Sequence, residues 1–429
     1  MTVYYSQRLS TAQWNKLTLR KFRNDRDAEK AARTICLAVK RRGNAAVRTY
    51  SLRFDGSAPP LKPVSNTALR TASGNLAPEF SRALKIAASN IARFHKRQIL
   101  SRQSITTMPG VTCWRTSTPV PRVGLYIPAG SAPLPSTVLM LGIPARLAGC
   151  DSIALFSPPT PEGFVNPLIL AAASVAGITE VYAVGGAQAI AAMAYGTESI
   201  PKVDKIFGPG NIYVNKAKRF ISSDPDGCAI DMPAGPSELL VIADRSANPA
   251  CIAADLLSQA EHDPNARVAL VSTSESLVNR VMAEIAASLK YLPRQGIIRK
   301  SLAEAFILIV PSLAEAVRFA NAYAPEHLSI QTVRPRQLAA NVANAGSVFL
   351  GNFSPVAAGD YASGTNHTLP TGGSARAYSG LTLESFQKTV TFQSLTRSGL
   401  ARISDAVRTL AAAEGLEAHR QAVTVRGRR

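Results

Sequence analysis

The sequence has little cysteine and no long apolar run, and these two absences exclude several classes of protein. Its 429 residues include five cysteines, an odd number, and no two of them form a Cys-x-x-Cys pair. Neither a disulfide framework nor a cysteine zinc site is therefore expected. The longest apolar segments, at 138–145 and 167–177, fall well short of the roughly 20 residues of a transmembrane helix. We therefore predict a water-soluble protein with reduced thiols, as in the cytoplasm.

Acidic residues are also scarce, since 28 Asp and Glu stand against 48 Lys and Arg and give a net charge of +20. This balance permits electrostatic binding of nucleic acid, but no basic motif interleaved with aromatic residues supports it. Residues 1–24 contain no acid, a composition also found in organellar transit peptides, while the apolar core of a secretory signal is missing. Charge alone therefore leaves a nucleic-acid-binding protein as an open alternative.

What is present indicates a globular α/β protein, with 46% hydrophobic and 18% charged residues. Apolar residues recur at three- and four-residue steps over about 27–54 and 77–98, which predicts amphipathic helices. From about residue 111, short β-rich runs alternate with alanine-rich segments of helical spacing, and this happens in two successive sets. Such alternation predicts parallel βαβ units.

We therefore predict two Rossmann-like parallel-sheet domains, a helical N-terminal region and a small C-terminal helical segment. The predicted units are 1–110 (helical), 111–235 (first Rossmann-like domain), 236–380 (second) and 381–429 (C-terminal). Ligands of open parallel sheets bind beyond the carboxyl ends of the strands. Glycine-rich loops follow predicted strands at 126–133, 184–188 and 207–211. They can bring backbone amides close to a phosphate, but none has the G-x-G-x-x-G pattern, so ordinary tight turns remain the favoured explanation.

Histidine is rare, which limits the candidates for metal binding and proton transfer to His95, His262, His327, His367 and His419. Gln259 and His262 lie three residues apart near the end of a predicted helix, with Cβ atoms roughly 5–6 Å apart. One metal ion fits this spacing, and so does a solvated helix end. His95 is predicted to lie on the surface of a basic amphipathic helix.

Glu326 and His327 place a carboxylate beside an imidazole in the segment YAPEHL. Pro325 disfavours the α conformation of the preceding residue, so we predict that the pair lies at the start of a helix. Acid–base catalysis and simple stabilisation of a helix N-terminus both fit this pair.

A long polar loop is predicted at 354–371, which contains Asp360 and His367. Long ordered loops are usually functional. Glu414 and His419, near the C-terminus, are five residues apart, a spacing that does not place them on one helical face unless Gly415 breaks the helix. A solvated terminal helix is the simpler explanation of these two residues.

Several segments, taken together, resemble signature segments of the histidinol dehydrogenase family. They include RVGLYIPAGSAPLPSTVLMLGIPARLAGC, VGGAQAIAAMAYGTESIPKVDKIFGPGNIYV, IDMPAGPSELLVIAD, ADLLSQAEHDP, YAPEHL, AGSVFLG, GDYASGTNHTLPT and EGLEAH. The resemblance extends over nearly the whole chain, including its N-terminal part, which argues against a removable transit peptide. It implies a cytoplasmic, NAD-dependent and zinc-requiring enzyme. The implied reaction oxidises L-histidinol to L-histidine in two hydride transfers through L-histidinal, as the last step of histidine biosynthesis.

The resemblance also implies roles for individual residues. The implied zinc ligands are Gln259, His262, Asp360 and His419, a nitrogen and oxygen set that suits zinc. Glu326 and His327 match the catalytic pair. Positions that hold the substrate match Ser237, Glu414, His327 and the zinc ligands, and positions that contact NAD match Tyr126, Gln188 and Asn211. His367 matches a family position to which we assign no role.

The family resemblance further implies a homodimer in which the C-terminal segment reaches the active site of the partner, so that Glu414 and His419 act across the interface. Cys113 and Cys150 also match family positions, and we expect them to be buried structural cysteines. The net charge of +20 is more basic than expected for a metabolic dehydrogenase. Besides nucleic-acid binding, two alternatives stay open: a relaxed family member that oxidises another amino alcohol, and a zinc hydrolase that uses the same ligands without NAD.

Overall fold

The computed structural model describes residues 1–19, 26–58, 60–99, 103–129, 132–232 and 235–427. The basic stretch around 20–25, part of the first glycine-rich loop and the last two arginines lie outside the described residues. The strands are β1 (Thr2–Tyr5), β2 (Gln103–Met108), β3 (Val111–Pro119), β4 (Arg122–Tyr126), β5 (Ser152–Phe156), β6 (Glu180–Tyr182), β7 (Lys205–Phe207), β8 (Ala229–Ile230), β9 (Glu238–Ala243), β10 (Arg267–Ser272), β11 (Phe306–Ile309), β12 (His327–Gln331), β13 (Ser347–Leu350) and β14 (Gln387–Leu395). The helices are α1 (Thr11–Thr18), α2 (Arg26–Asp55), α3 (Asn66–Gly74), α4 (Pro78–Lys96), α5 (Pro135–Ala148), α6 (Pro167–Ala176), α7 (Gly186–Tyr195), α8 (Ile212–Ser222), α9 (Pro249–Ala260), α10 (Glu275–Ser288), α11 (Gln295–Ala303), α12 (Leu313–Tyr323), α13 (Pro335–Ala339), α14 (Val356–Tyr361), α15 (Arg397–Ala413) and α16 (Glu417–Gly427).

Two parallel sheets form the body of the molecule, with strand orders β6-β5-β4-β7-β8 and β1-β11-β10-β9-β12-β13. Their central strands are continuous apolar runs, and every residue of β9 is buried, as expected when helices cover both faces. In the first sheet β5 and β6 follow on one side of β4, and the chain then crosses over to add β7 on the other side of β4. In the second sheet β9 and β12 are related in the same way. The predicted α/β class with two parallel sheets is confirmed.

The N-terminal region contributes packing helices to the first sheet and one strand to the second. Helix α2 packs on α7 and α8, and α3 and α4 pack on α5 and α6, so these helices cover the first sheet. Strand β1, which we did not predict, pairs with β11 at the edge of the second sheet. Its sequence, TVYY, is made of β-branched and aromatic residues that favour strands.

A third sheet is antiparallel and has the order β14-β3-β2. The segment from residue 381 onward, which we predicted as helical, therefore contains a strand. This strand, β14, includes the alternating sequence KTVTFQ and pairs with β3. Phe392 of β14 stacks on Trp114 of β3 with ring centroids 5.3 Å apart. Helices α15 and α16 follow as a hairpin, and no residue of α16 is buried.

His95 is fully buried, so its predicted surface position is wrong. It continues the buried stripe of α4 formed by Leu84, Ala87 and Ile91 at three- and four-residue steps. Its Nδ1 lies 3.1 Å from Gln98 Oε1, and burial lowers the pKa of the imidazole.

All five cysteines are free thiols. Cys113 and Cys150 are half-buried and thus less enclosed than predicted, although burial raises the pKa of Cys150 to about 11. Among the described helices, none is long and apolar enough to cross a membrane.

Candidate active site

Glu326 and His327 lie at the amino end of β12, not at the start of a helix as predicted. Helix α12 ends at Tyr323, and Ala324 takes a left-handed conformation with φ of 49°. The chain thereby reverses directly before Pro325 and enters the second sheet between β9 and β13. Both side chains are buried, with exposed fractions of 5% and 4%.

The backbone of Glu238, the first residue of β9, holds both members of this pair. Its N–H donates to Glu326 Oε2 over 2.7 Å, and its carbonyl oxygen lies 3.0 Å from His327 Nδ1. A carbonyl can only accept, so Nδ1 carries the proton and Nε2 is the basic nitrogen of neutral His327. The sequence analysis did not select Glu238, because a backbone role leaves no signature in the residue type.

Charge and burial oppose each other at this pair. Burial raises the pKa of Glu326, although the neighbouring His327 and the N–H of Glu238 lower it. Burial lowers the pKa of His327, but the carboxylates of Glu326 and Asp360 outweigh this effect, and the net shift is upward. His327 Nδ1 lies 3.6 Å from Glu326 Oε2. Such a buried carboxylate and imidazole can exchange protons with a group bound against them.

Asp360 lies on a short helix, α14, within the segment predicted to be irregular. Its Oδ1 is 3.5 Å from Nε2 of His327. Burial raises the pKa of Asp360, but His327, His367 and His262 together outweigh it and lower the pKa. Asp360 is therefore an ionised, mostly buried carboxylate beside Glu326 and His327.

His367 connects this site to the first sheet. Its Nδ1 donates to the backbone oxygen of Asp360 over 2.8 Å, and its Nε2 lies 3.1 Å from the hydroxyl of Thr137, in the first turn of α5. Asn366 Nδ2 donates to the carbonyl of Met140 over 2.6 Å. The amino ends of β9 and β12 therefore meet the carboxyl edge of the first sheet. Ligands of parallel sheets usually bind at the carboxyl ends of the strands, so we did not predict a site at the amino ends of the second sheet.

Gln259 and His262 lie near this carboxylate. Gln259 is in the last turn of α9, which packs against α14, and it is 2% exposed with no hydrogen-bond partner for Oε1 among the described residues. His262 is exposed and lies two residues beyond the end of α9, close enough to Asp360 to lower its pKa.

Glu414 and His419 are not brought to this place within one chain. Both are exposed, in the α15–α16 hairpin whose main packing partner outside itself is β14. In agreement, the described residues include no group of three or more His, Cys, Asp or Glu side chains that could hold a metal ion.

Ser237 is half-buried and directly precedes Glu238, the first residue of β9, whose backbone holds Glu326 and His327.

Tyr126 and Gln188 lie at the carboxyl edge of the first sheet. The hydroxyl of Tyr126 accepts from the N–H of Gly186 over 3.0 Å, and burial raises its pKa to about 12. Gln188 is fully buried, and its Nε2 donates to Asp55 Oδ2 over 3.3 Å.

Asn211 is exposed and caps α8, its side chain accepting from the N–H of Val214 over 3.0 Å. It follows β7, whose loop begins at Gly208 with φ of 118°. A Cβ at that position would collide with the carbonyl oxygen of Tyr126, so the loops after β4 and β7 require glycine to pack together.

A buried ion pair fixes the loop after β7. Lys218 Nζ lies 2.5 Å from Asp231 Oδ1 and donates to the carbonyl of Gly208 over 2.8 Å. Asp231 Oδ2 accepts from the N–H of Gly208 over 2.8 Å. Neither residue was selected from the sequence, because both stand outside the glycine-rich motif.

A buried acid–base pair at the junction of two Rossmann-like sheets defines the class of this protein as an α/β enzyme. A family model described as histidinol dehydrogenase matches residues 18–427. Histidinol dehydrogenase of Aliivibrio fischeri is 52% identical over 396 residues, which are 92% of this chain and 89% of that protein. The Bacteroides fragilis protein of the same name is 49% identical over 415 residues, 97% of this chain and 96% of its own. The chain therefore belongs to the histidinol dehydrogenase family, as its signature segments suggested, and it is an oxidoreductase.

Solved structures agree with this assignment. The crystal structure of histidinol dehydrogenase from Elizabethkingia anophelis matches with a TM-score of 0.95 and 45% identity over 99% of this chain and 98% of that chain. An acetylating aldehyde dehydrogenase from Geobacillus thermoglucosidasius reaches a TM-score of 0.50 at 14% identity over 89% of this chain and 93% of its own. This second likeness shows a shared fold alone.

Proposed function

We propose that this protein oxidises L-histidinol to L-histidine in two successive steps with NAD and zinc, as the last reaction of histidine biosynthesis in the cytoplasm. The observation that carries the proposal is the buried pair of Glu326 and His327, which the backbone of Glu238 fixes in one orientation. Membership of the histidinol dehydrogenase family supplies the substrate. The five free thiols are in keeping with a reducing compartment.

The residues present fit a zinc ion. Gln259 offers a buried amide oxygen that lacks a partner among the described residues, and Asp360 offers an ionised carboxylate. His262 is exposed and near Asp360, and a nitrogen and oxygen donor set without thiolates suits zinc. We assign Gln259, His262 and Asp360 of one chain and His419 of a partner copy as ligands. When bound, zinc would supply a template that orients the amine and imidazole of the substrate.

The carboxyl edge of the first sheet fits NAD. Tyr126 is the last residue of β4, Gln188 lies in the first turn of α7, and Asn211 caps α8 after β7, so all three lie at the carboxyl edge, where such folds bind dinucleotides. We assign these residues to NAD binding. NAD, when bound, would supply the hydride acceptor for each of the two oxidations.

His327 is the proposed base of both oxidations. The neutral form of His327 is the base: its Nε2 takes the hydroxyl proton of the alcohol as the first hydride leaves the carbon that bears this hydroxyl, which gives the aldehyde. Glu326 then removes a proton from water, and the resulting hydroxide adds to the carbonyl carbon of the aldehyde. The proton that His327 took in the first step returns to the carbonyl oxygen, which completes the gem-diol and restores neutral His327. His327 removes a proton from the gem-diol as the second hydride leaves, which gives the carboxylic acid, and the acid then ionises to the carboxylate. Ser237 and Glu414 hold the substrate in this scheme.

The stoichiometry of the reaction tests the proposal. With zinc present, purified protein should reduce about two NAD per L-histidinol consumed, because each two-electron step needs one hydride acceptor. Consumption of substrate without NAD reduction would favour a zinc hydrolase. A preference for a different amino alcohol would favour a relaxed family member.

Two substitutions separate the proposed roles. His262→Asn should lower the zinc content of the purified protein, whereas Asp263→Asn, an exposed neighbour, should leave it unchanged. Glu326→Gln should slow the second oxidation more than the first, so that the aldehyde accumulates. An unchanged zinc content in His262→Asn contradicts the ligand assignment.

Complementation tests the shared site. When inactive His262→Asn and His419→Asn proteins are unfolded together and reassembled, each mixed dimer contains one site with both ligands intact. About a quarter of the wild-type activity should return, since half of the dimers are mixed and half of their sites are intact. No recovery would place both ligands in one chain.

A further inference from the structure

Asp55, the last residue of α2, lies at the carboxyl edge of the first sheet, although α2 precedes all strands of that sheet in the sequence. Its Oδ2 accepts from Gln188 Nε2 over 3.3 Å, and its negative charge contributes to the raised pKa of Tyr126. The carboxylate is half-buried, and burial raises its pKa to about 6, so it is ionised above neutral pH. Asp55 thus contacts one residue assigned to NAD and lies near a second.

Two unpartnered polar atoms lie at the same edge of the first sheet. Gln188 is fully buried, yet its Oε1 has no hydrogen-bond partner among the described residues. Ser157, directly after β5, is also fully buried with an unpartnered hydroxyl, and Pro158 beside it contacts Gly185 at the start of α7. Buried polar groups are normally paired, so these atoms indicate a polar ligand.

The position matches a known requirement of dinucleotide folds. In them an acidic residue that follows the strand next to the first strand accepts from the ribose 2′-hydroxyl of NAD, and its charge disfavours the 2′-phosphate of NADP. Here β5 lies next to β4, and the residues after it are Ser157, Pro158 and Pro159, with no acid. Asp55 supplies a carboxylate at this edge from a different part of the chain.

We propose that Asp55 binds the hydroxyl groups of the adenosine ribose of NAD and excludes NADP. This inference rests on the proposed use of NAD. It adds a residue of the N-terminal helical region to the cofactor site. It also assigns the two unpartnered groups, Gln188 Oε1 and Ser157 Oγ, to the same half of the cofactor.

Binding of NADH and NADPH, measured by fluorescence titration of the zinc-loaded protein without substrate, tests the proposal. Wild-type protein should bind NADH more tightly than NADPH. Asp55→Asn should weaken NADH binding about tenfold and reduce the preference for NADH over NADPH by at least that factor, because one charge-assisted hydrogen bond and one repulsion are lost. Asp27→Asn removes the same charge at the exposed, opposite end of α2 and should change neither constant.

A purely structural Asp55 gives a different result. Asparagine can still accept from Gln188 Nε2, so unchanged NADH binding and unchanged preference in Asp55→Asn would overturn the proposal. Asp55→Glu, which keeps the charge, should retain the preference for NADH even if its affinity falls. Wild-type protein that binds neither nucleotide would instead refute the use of NAD itself, which the stoichiometry of NAD reduction reveals separately.

Discussion

Replacing Lys218 by methionine removes the cation from a fully buried ion pair. The side chains of Lys218 and Asp231 are 2% and 1% exposed, and Asp231 cannot reach water when its partner is lost. The carbonyl of Gly208 loses its donor at the same time. We therefore expect Lys218→Met to destabilise the fold and to loosen the loop after β7.

The size of this loss follows from the contacts that remain. An uncompensated buried charge costs about 3–5 kcal/mol. The N–H groups of Gly208 and Met232 continue to donate to Asp231, so the lower end of this range applies, about 3 kcal/mol. With a urea dependence of about 3 kcal/mol per M, the unfolding midpoint should fall by about 1 M.

Urea unfolding followed by circular dichroism at one fixed protein concentration measures this shift. Lys216→Met is the matched control on the same helix, since Lys216 pairs with the exposed Glu29, and it should change the midpoint far less. Lys218→Met with Asp231→Asn buries no charge and should be more stable than Lys218→Met alone. Equal midpoints for the two lysine variants, or no recovery in the double variant, would refute the reasoning.

Three further predictions concern the loop after β7, a histidine and a thiol. Gly208→Ala should lower the midpoint of thermal unfolding and weaken NADH binding, because Gly208 has a φ of 118° and an added Cβ would collide with the carbonyl oxygen of Tyr126. Gly296→Ala is the control and should change neither, since nothing lies within 4 Å of a Cβ added there. The imidazole of His95 has its pKa lowered by burial, so below about pH 6.5 the unfolded state binds the extra proton and stability falls. The loss of unfolding free energy between about pH 7 and pH 5 should therefore be smaller in His95→Gln than in wild type, and an equal loss would contradict this account. Burial and, to a smaller extent, the charge of Asp224 raise the pKa of the Cys36 thiol to about 12. Iodoacetamide at neutral pH should therefore leave Cys36 unmodified in the native protein and modify it in the unfolded protein, as measured by peptide mass spectrometry.

Regular elements were predictable where one period dominates the sequence. Strands such as β4, β5, β9 and β10 are short apolar runs between helical segments, and they lie where the pattern placed them. Strand β12, with the sequence HLSIQ, was missed because Pro325 followed by the polar residues Glu326 and His327 is a pattern typical of the start of a helix. Both edges of β12 pair with other strands, with β13 on one side and, on the other, with β9, which is remote in the sequence.

Candidates for the site were found where polar residues are close in sequence. Glu326 and His327 are adjacent, and Gln259 and His262 are three residues apart, so residue type and spacing made them candidates, while the family resemblance assigned their proposed roles. Tertiary packing supplies the rest. His95 lies on a buried stripe although its helix is basic, and Asp55 of α2 reaches the edge of the first sheet. The backbone of Glu238 holds Glu326 and His327 in place.

The two hydrogen bonds between Glu238 and the proposed catalytic pair, Glu326 and His327, are made by main-chain atoms of Glu238. Every amino acid except proline offers the same N–H and carbonyl, so codon-by-codon mutagenesis at this position alters only the side chain and leaves the link untouched. A scan of variants would thus report on the buried carboxylate and overlook the peptide group. Swapping that amide for an ester by semisynthesis would remove the N–H alone, and it would show how far the chemistry depends on an atom that the genetic code cannot delete without proline.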